Sequence, residues 1–320
     1  MLKVKRLIKS LFRLVLPTIL VIILVSAAAS LLLVHLVSRP KTFTYLVTPQ
    51  KYGLLSSRGA QVSDEKWTNR DGSPARGWLL RGSENAPAII LLHKFGADRS
   101  HELNLGVKLS ESTNFTVLMP DLRGHGENPV VQKSTFGPHE TDDTLAAIDF
   151  LRNLKTPDGV PVVGNKIGIY GVEMGGLAAL GAAAKDPAVT AIVLDSVPAD
   201  SGAVIASAVE RRYPFASLVT AKLARFGADL YFFDGSYTSA ATCESGKAIA
   251  DRHVMLLAGV DSPDLQASTT KLGRCIQSGG NLESKYDLSP SGYSIMSASM
   301  EKSEAYDQKV IDFFRLSLAN

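Results

Sequence analysis

Cysteine is scarce in this chain, whose 320 residues include only Cys243 and Cys275. Because no second cysteine pair and no histidine stands at ligand spacing, the sequence predicts no metal site, and no cofactor is expected. Positive and negative charges nearly balance, and the net charge is +3 at pH 7. No nucleic-acid partner is therefore expected. Internal repeats and low-complexity tracts are absent. With 45% apolar and 20% charged residues, the chain is predicted to fold around one sizeable core.

One long apolar run lies near the N-terminus, from Leu14 to Val37. At 1.5 Å per residue this run is long enough to cross a bilayer core of about 30 Å, and it predicts a membrane helix. The alternative is a cleaved signal peptide, since Ala27-Ala28-Ala29 resembles a cleavage site. The chain stays apolar beyond that site, through Leu31 to Val34, which favours a retained anchor.

Charge on either side of the apolar run predicts its orientation. Five cations precede it: Lys3, Lys5, Arg6, Lys9 and Arg13. Only Arg39 and Lys41 follow closely, so the N-terminus is expected in the cytoplasm and the main domain outside the cytoplasm. The predicted segments are a basic segment (1–13), a transmembrane signal anchor (14–37), a linker (38–42) and one domain (43–320) with a lid at about 197–250.

An extracytoplasmic domain permits a disulfide between Cys243 and Cys275. Such a bond would tie two segments that flank the predicted strand 253–258, and it would stabilise the fold by on the order of 3 kcal/mol. Two buried free thiols are the alternative, because spacing alone does not fix whether the cysteines meet.

Short apolar runs alternate with helical patterns along most of the domain. The chain opens with a hairpin at 65–69 and 76–80, joined through the turn dipeptide Asp71-Gly72. Five apolar strands are predicted after it: 88–92, 115–119, 167–170, 191–194 and 254–258. Fully apolar strands separated by helices predict an α/β fold, with a mostly parallel sheet covered by helices on both faces.

A tight strand-to-helix turn is predicted at Gly171-Val172-Glu173-Met174-Gly175. Small residues two positions either side of the apex allow a turn sharp enough to lift the apex side chain to the upper edge of the sheet. This geometry is typical of a nucleophile elbow, in which the apex residue is the nucleophile. The apex here is Glu173, which has no hydroxyl.

Four local patterns together resemble the α/β-hydrolase superfamily, most closely its serine aminopeptidase-like and esterase branch. Besides the elbow they are Leu92-His93-Lys94-Phe95-Gly96, Pro120-Asp121-Leu122-Arg123-Gly124-His125-Gly126 and Leu257-Ala258-Gly259-Val260-Asp261. The resemblance spans about 43–318. It implies an α/β-hydrolase fold with a small helical lid, a Ser, Asp and His triad in that chain order, and an oxyanion hole of two backbone amides.

The chain departs from this pattern at several implied site positions. Glu173 stands at the nucleophile position and Tyr293, in Ser291-Gly292-Tyr293, at the base position. The acid position offers Asp261, with Ser262 and Asp264 as alternatives. Lys94 replaces a glycine of the oxyanion loop, which leaves the amides of Phe95 and Met174 as the implied donors. A phenol, with an ordinary pKa of about 10, is an inefficient base near neutral pH.

The substitutions at the elbow and the oxyanion loop suggest a coupled change. We expect the Glu173 carboxylate to occupy the oxyanion site at the start of the following helix, where free amides favour an anion. We also expect it to pair with the Lys94 ammonium; the alternative is that Lys94 points to solvent and the two never meet. His93 and His125 are expected to be structural hydrogen-bonding residues, and Asp142 and Asp143 to lie at a solvated helix start.

Three classes of function remain open from the sequence. The first is a membrane-anchored, extracytoplasmic protein with a degenerate triad, a pseudoenzyme that binds a small-molecule ligand or a partner. The second is an active hydrolase of ester or amide bonds that uses Glu173 with Asp261, His93 or a water molecule. The third is a structural membrane protein that uses only its outer surface. A filled site beside Glu173 would favour the third class over ligand binding.

Overall fold

The computed structural model describes residues 2–40, 45–127, 133–214, 217–233, 235, 237, 242–276 and 281–319. The chain forms two compact units, which are described separately. One comprises residues 1–37 and 205–235, and the other residues 38–204 and 236–320. The predicted boundary between linker and domain, at 42 and 43, lies outside the described residues.

The larger unit is built on one eight-stranded sheet with the strand order β1-β2-β4-β3-β5-β6-β7-β8. The strands are β1 (Ser63–Thr68), β2 (Pro74–Leu80), β3 (Ala86–Leu92), β4 (Thr116–Pro120), β5 (Val163–Val172), β6 (Val189–Asp195), β7 (His253–Gly259) and β8 (Leu282–Leu288). The pairs β1·β2 and β2·β4 are antiparallel, and all other neighbouring pairs are parallel. The predicted hairpin and mostly parallel sheet are therefore confirmed.

Apolar composition explains the position of the central strands. Along β3 the residues from Ala88 to Leu92 are completely buried, and the same holds from Val117 to Met119 of β4 and from Ala191 to Leu194 of β6. Side chains of a strand alternate between the two faces of the sheet, so continuous burial requires cover on both faces. The carboxyl ends of β3, β5, β6 and β7 consequently meet at one buried edge.

Helices of the larger unit surround the sheet. They are α2 (Pro49–Tyr52), α3 (Leu103–Thr113), α4 (Pro138–Asn153), α5 (Met174–Lys185), α8 (Thr242–Ala248), α9 (Pro263–Cys275) and α10 (Met300–Leu318). The start of α4 is fixed by Glu140, whose buried carboxylate accepts hydrogen bonds from the amides of Thr135 (2.9 Å) and Gly137 (2.8 Å). The Gly137 amide is the N-cap donor, and the Thr135 amide belongs to the chain that leads into the helix, so Glu140 stabilises this end.

The edge strand β8 was not predicted. Its sequence, Leu-Glu-Ser-Lys-Tyr-Asp-Leu, has no apolar run, and none of its residues is buried. It pairs in parallel with β7, for example Leu256 with Ser284. An edge strand can be polar because solvent covers its outer side, so hydrophobicity gave no signal for β8.

Cys243 and Cys275 form a disulfide, with their Cα atoms 5.4 Å apart. The bond joins α8 to α9, the helices that flank β7 in the chain. The alternative of two free thiols is therefore wrong.

The smaller unit contains α1 (Leu2–Val37) and α7 (Ser217–Tyr231). It also contains the part of α6 (Ser201–Arg212) that begins at Ile205. The apolar run lies in α1, of which Val15–Val37 is long and apolar enough to cross a membrane. The C-terminal half of α1 packs against α7: the Cβ that a side chain would add at Gly227 would lie 2.7 Å from the Ser30 Cβ.

Candidate functional site

Glu173 lies between β5 and α5 with a left-handed backbone, φ +50° and ψ −111°. Two glycines permit this turn. A Cβ on Gly171 would lie 2.3 Å from the carbonyl oxygen of Gly175, and a Cβ on Gly175 would lie 2.3 Å from the carbonyl oxygen of Leu92. Neither position therefore accepts a side chain without displacement of the backbone. The turn places Glu173 at the carboxyl edge of the sheet, with a backbone that costs on the order of 1–3 kcal/mol.

The Glu173 side chain turns toward the loop that follows β3. Its Oε2 accepts a hydrogen bond from the Phe95 backbone amide at 2.9 Å, and the residue has no solvent-exposed surface. Phe95 is one of the two implied oxyanion donors. The other implied donor residue, Met174, is buried as the first residue of α5. The carboxylate thus engages the amide that would receive a substrate oxyanion in a serine hydrolase.

Lys94 contacts Tyr293, a partner that the sequence did not predict. Its Nζ donates to the carbonyl oxygen of Tyr293 and lies 4.4 Å from the centroid of the Tyr293 ring. The Tyr293 carbonyl and ring therefore hold the ammonium. Pairing of Lys94 with Glu173 stays a prediction.

The loop of the base position, the 3-10 turn Gly292–Ser297, is held by two carboxylates. The Asp261 carboxylate accepts from the Ser291 amide (3.2 Å) and hydroxyl (2.9 Å). Asp195 Oδ2 accepts from the Gly292 amide at 2.9 Å. Partial burial of Asp261 opposes its charge, but hydrogen bonds from Ser294 and Ser291 outweigh this and lower its pKa. Both carboxylates therefore position the backbone beside Tyr293.

Asp195 was not predicted as a site residue. Its buried carboxylate also accepts from the Tyr306 hydroxyl at 2.8 Å and the Ser196 hydroxyl at 2.6 Å. The Tyr306 and Tyr170 hydroxyls are 3.0 Å apart, which extends the network below the sheet edge. Burial raises the pKa of Asp195, although its three hydrogen bonds act against the shift. An acidic residue directly after an apolar strand was the available sequence signal.

The alternative acid-position residues contribute less. Asp264 is exposed in the first turn of α9, and Ser262 is its N-cap residue by position. Asp261 is the acid-position residue whose hydrogen bonds reach the loop at 291–294.

His93 and His125 hold loops together through both ring nitrogens. In His93, Nδ1 lies 2.9 Å from the Lys94 carbonyl oxygen, and Nε2 accepts from the Leu122 amide at 3.1 Å. In His125, Nδ1 lies 2.9 Å from the Arg123 carbonyl oxygen, and Nε2 accepts from the Gly96 amide at 2.9 Å. Complete burial lowers the pKa of His93, which favours its neutral form. A histidine bonded in this way has no nitrogen available to take a substrate proton.

Asp143 differs from its expected solvated position. It is buried and paired with Arg123, which also contacts Asp71 at 3.1 Å. Burial raises the pKa of Asp143 to about 7, even though Arg123 opposes the shift. Asp142 remains partly exposed, with Lys185 at 3.2 Å. The expectation for Asp143 was wrong because helix periodicity does not reveal that this side of α4 faces a buried arginine.

No group of three or more histidine, cysteine, aspartate or glutamate residues within the described part of the chain could hold a metal ion.

A mostly parallel sheet with a strained elbow after its central strand defines the α/β-hydrolase class. The alpha/beta hydrolase family matches residues 53–272 of this chain, and the chain belongs to that family. Among solved structures, a Pyrococcus furiosus esterase is 19% identical, with a TM-score of 0.66. The alignment covers 88% of this chain and 98% of the esterase chain. The α/β hydrolase GrgF from Penicillium is 18% identical over 81% of this chain and 99% of its own, with a TM-score of 0.58. At these identities the likeness shows the fold alone.

Two curated proteins match part of the sequence. The thiohydrolase aneE of Aspergillus aculeatus is 29% identical over 132 residues, which is 41% of this chain and 40% of that protein. The polyketide transferase grgF of Penicillium is 30% identical over 159 residues, which is 49% of this chain and 50% of that protein. The chain thus spans half or less of the length of these curated relatives.

Proposed function

We propose that this protein is a membrane-anchored α/β-hydrolase-fold protein whose triad is degenerate, and that it acts by binding a ligand or a partner instead of by hydrolysis. The observation that carries the proposal is the hydrogen bond from the Phe95 amide to the Glu173 carboxylate at 2.9 Å. An oxyanion hole stabilises negative charge that develops on the substrate. A carboxylate already bound there fills the position and repels a second negative charge.

The base position supports the same conclusion. A serine hydrolase needs a base that removes the proton of the serine nucleophile and passes it to the leaving group. Here Tyr293 stands in that loop, and its backbone carbonyl and ring are engaged by Lys94. His93, the histidine nearest to the elbow in the oxyanion loop, is bonded at both nitrogens. His93 is therefore not arranged to take a substrate proton, and the Tyr293 phenol is an inefficient base near neutral pH.

The complete burial of Glu173 bears on whether the protein binds a small molecule or a partner. Glu173 has no exposed surface, so a small-molecule ligand would reach its carboxylate only after the groups that cover it move. This favours a partner that binds the outer surface of the domain, and it makes a small-molecule ligand the less favoured occupant.

Membrane attachment through Val15–Val37 is part of the proposal, with the N-terminus in the cytoplasm and the domain outside. The span has a mean hydropathy of 2.8 and 11% of it is buried. A core helix of a soluble domain would be mostly buried, which leaves a membrane anchor or a signal sequence; the apolar residues after Ala27-Ala28-Ala29 favour the anchor.

The second candidate is an acyl hydrolase or transferase of the serine aminopeptidase-like and esterase branch that uses Glu173. It is favoured by the names of the curated relatives, a thiohydrolase and a polyketide transferase, and by the retained strain at the elbow. Attack by the Glu173 carboxylate on an acyl ester would expel the alcohol and form a mixed anhydride. Water would then have to release the acyl group, with Asp261 or another site carboxylate as its base.

An ester assay on the full chain in detergent separates the two candidates. We expect the wild type and Glu173→Gln to show the same rate on short-chain chromogenic esters, equal to the background without protein. Replacing Glu173→Ser, Tyr293→His and Lys94→Gly together restores the family residues, and we expect turnover only in that variant. Wild-type turnover that Glu173→Gln abolishes would refute the degenerate site and support the second candidate.

A further inference from the structure

The helix α7 carries a stripe of exposed apolar side chains. We call this the α7 stripe; it consists of Val219, Phe226, Leu230 and Phe233, which lies just beyond the end of the helix. Phe226 is 70% exposed and Phe233 is 87% exposed. Spacings of seven, four and three residues place all four on one side of a helix. Large apolar side chains grouped in this way mark an interaction surface.

A different face of α7 packs against α1 within the same compact unit. Ala224, Gly227 and Ala228 are buried on α7, and Gly227 approaches Ser30 of α1 so closely that a Cβ would lie 2.7 Å from the Ser30 Cβ. At the end of the contact, the His35 Nδ1 and the Tyr231 hydroxyl are 3.1 Å apart. Small residues that let two backbones approach are typical of helix pairs in membranes.

The packing divides the apolar span of α1 into two halves. From Val15 to Val25 the large apolar side chains are exposed, whereas Ser30, Val34 and Val37 are buried. At 1.5 Å per residue, residues 15–25 cover about 16 Å, roughly half of a bilayer core of about 30 Å. The span can therefore cross the core only if its second half also enters, and α7 lies beside that half.

Polar residues of α7 fall on a third face. Lys222, Arg225 and Asp229 are exposed and repeat at three and four residues, next to the α7 stripe on the helix circumference. A helix of 15 residues is about 22 Å long, too short to cross the core alone. Beside the stripe, the long lysine and arginine side chains can extend toward the headgroups while the apolar side chains contact the acyl chains.

We propose that α7 is a second membrane-contacting element. It lies along the C-terminal half of α1, and the α7 stripe lies among the lipid acyl chains. The occupant of the stripe is the bilayer, because the stripe belongs to the same compact unit as a helix long enough to span a membrane. The inference rests on the proposed membrane anchoring and adds a lipid contact that the anchor alone does not require.

Site-specific fluorescence tests this contact in the full chain. Cys243 and Cys275 are bonded to each other, so single cysteines introduced by Phe226→Cys or Phe233→Cys accept an environment-sensitive label without reduction. Lys222→Cys and Asp229→Cys are matched controls on the same helix, and Leu20→Cys reports on α1. Each variant is reconstituted in phosphatidylcholine and phosphatidylglycerol vesicles that contain a lipid with a spin label on its acyl chain.

We expect the spin-labelled lipid to quench the label at positions 226 and 233 at least twofold more strongly than at 222 and 229. Equal quenching on the two stripes, with strong quenching at position 20, would overturn the α7 contact and leave the anchor intact. Absence of quenching at position 20 would overturn the anchor and the α7 contact together. Protection of 226 and 233 from both lipid and aqueous quenchers, with disulfide cross-linking between copies, would assign the stripe to a second copy of this chain.

Discussion

Glu173 keeps a backbone conformation that residues with a side chain adopt only at a cost, φ +50°. The surrounding contacts enforce it: the Glu173 amide donates to the Asp195 carbonyl oxygen at 3.0 Å, and the carboxylate accepts from Phe95. The Glu173 side chain and backbone are therefore both held by hydrogen bonds from neighbouring loops. At the scale of the residue, the site contains hydrogen-bond acceptors in the places where reactive groups are implied.

Asp195 offers a stability test of this network. Asp195→Ala leaves the buried Tyr306 hydroxyl and Gly292 amide without this acceptor, and we expect a loss of about 3 kcal/mol in the free energy of unfolding. Tyr306→Phe, the matched control, removes one hydroxyl and should cost about 1 kcal/mol. Denaturant unfolding of the full chain in detergent measures both. Equal costs for the two variants would show that Asp195 does not hold the loop at Gly292.

Glu102 predicts a pH dependence. Burial, helped by Asp307 and Asp195, raises its pKa from 4.5 to about 7. Between these values the folded chain binds more protons than the unfolded chain, so stability must fall as the pH rises from about 4.5 to about 7. The size of the shift corresponds to about 3 kcal/mol.

Glu102→Gln mimics the protonated acid and removes this contribution. We expect the midpoint of thermal unfolding to fall more for the wild type than for Glu102→Gln between pH 5 and pH 7.5. Glu301→Gln, at an exposed position, is the control, and its midpoint should fall as much as that of the wild type. Identical pH profiles for the wild type and Glu102→Gln would contradict the shifted pKa.

Among the elements, the central strands and the helices between them follow from local sequence patterns. The disulfide adds a covalent bond between two of the helices. The bond links α8 to α9 across a sequence separation of 32 residues. Closing a loop of that length restricts the unfolded chain, which in the loop-entropy model stabilises the fold by on the order of 3 kcal/mol.

Removal of the disulfide tests this contribution. We expect Cys243→Ser with Cys275→Ser to lower the unfolding midpoint in denaturant, and we expect addition of a reductant to lower that of the wild type but not that of the double variant. A reductant effect of equal size in both proteins would indicate that the bond does not contribute to stability.

For the whole molecule, the distribution of charge around α1 predicts how the chain crosses the membrane. Replacing Lys3, Lys5, Arg6, Lys9 and Arg13 with glutamine leaves Arg39 and Lys41 as the nearby cations, and we expect a substantial fraction of chains to invert. Neutralising Arg39 and Lys41 instead should keep the original orientation. Protease protection of the domain in sealed vesicles measures the inverted fraction; equal protection in the two variants would contradict the proposed topology.

Sequence patterns predicted most of the fold because the core strands are local apolar runs. They missed β8, whose polar residues carry no such signal, and misplaced Asp143, whose burial depends on Arg123 from another part of the chain. They also gave no indication that Lys94 contacts Tyr293, 199 residues further along the chain. Each error concerns a contact between segments distant in sequence.

The sequence by itself determined the apolar span, the alternation of strands and helices, the glycines of the elbow and the identity of its apex residue, because these depend on composition and short spacing. Only the tertiary structure decided that the Glu173 carboxylate binds the Phe95 amide, that Lys94 turns to Tyr293, that Asp195 supports the loop and that the cysteines are bonded. These depend on which strand ends and loops meet in space, since hydrogen bonds and ion pairs act over a few ångströms and choose among partners that folding brings together.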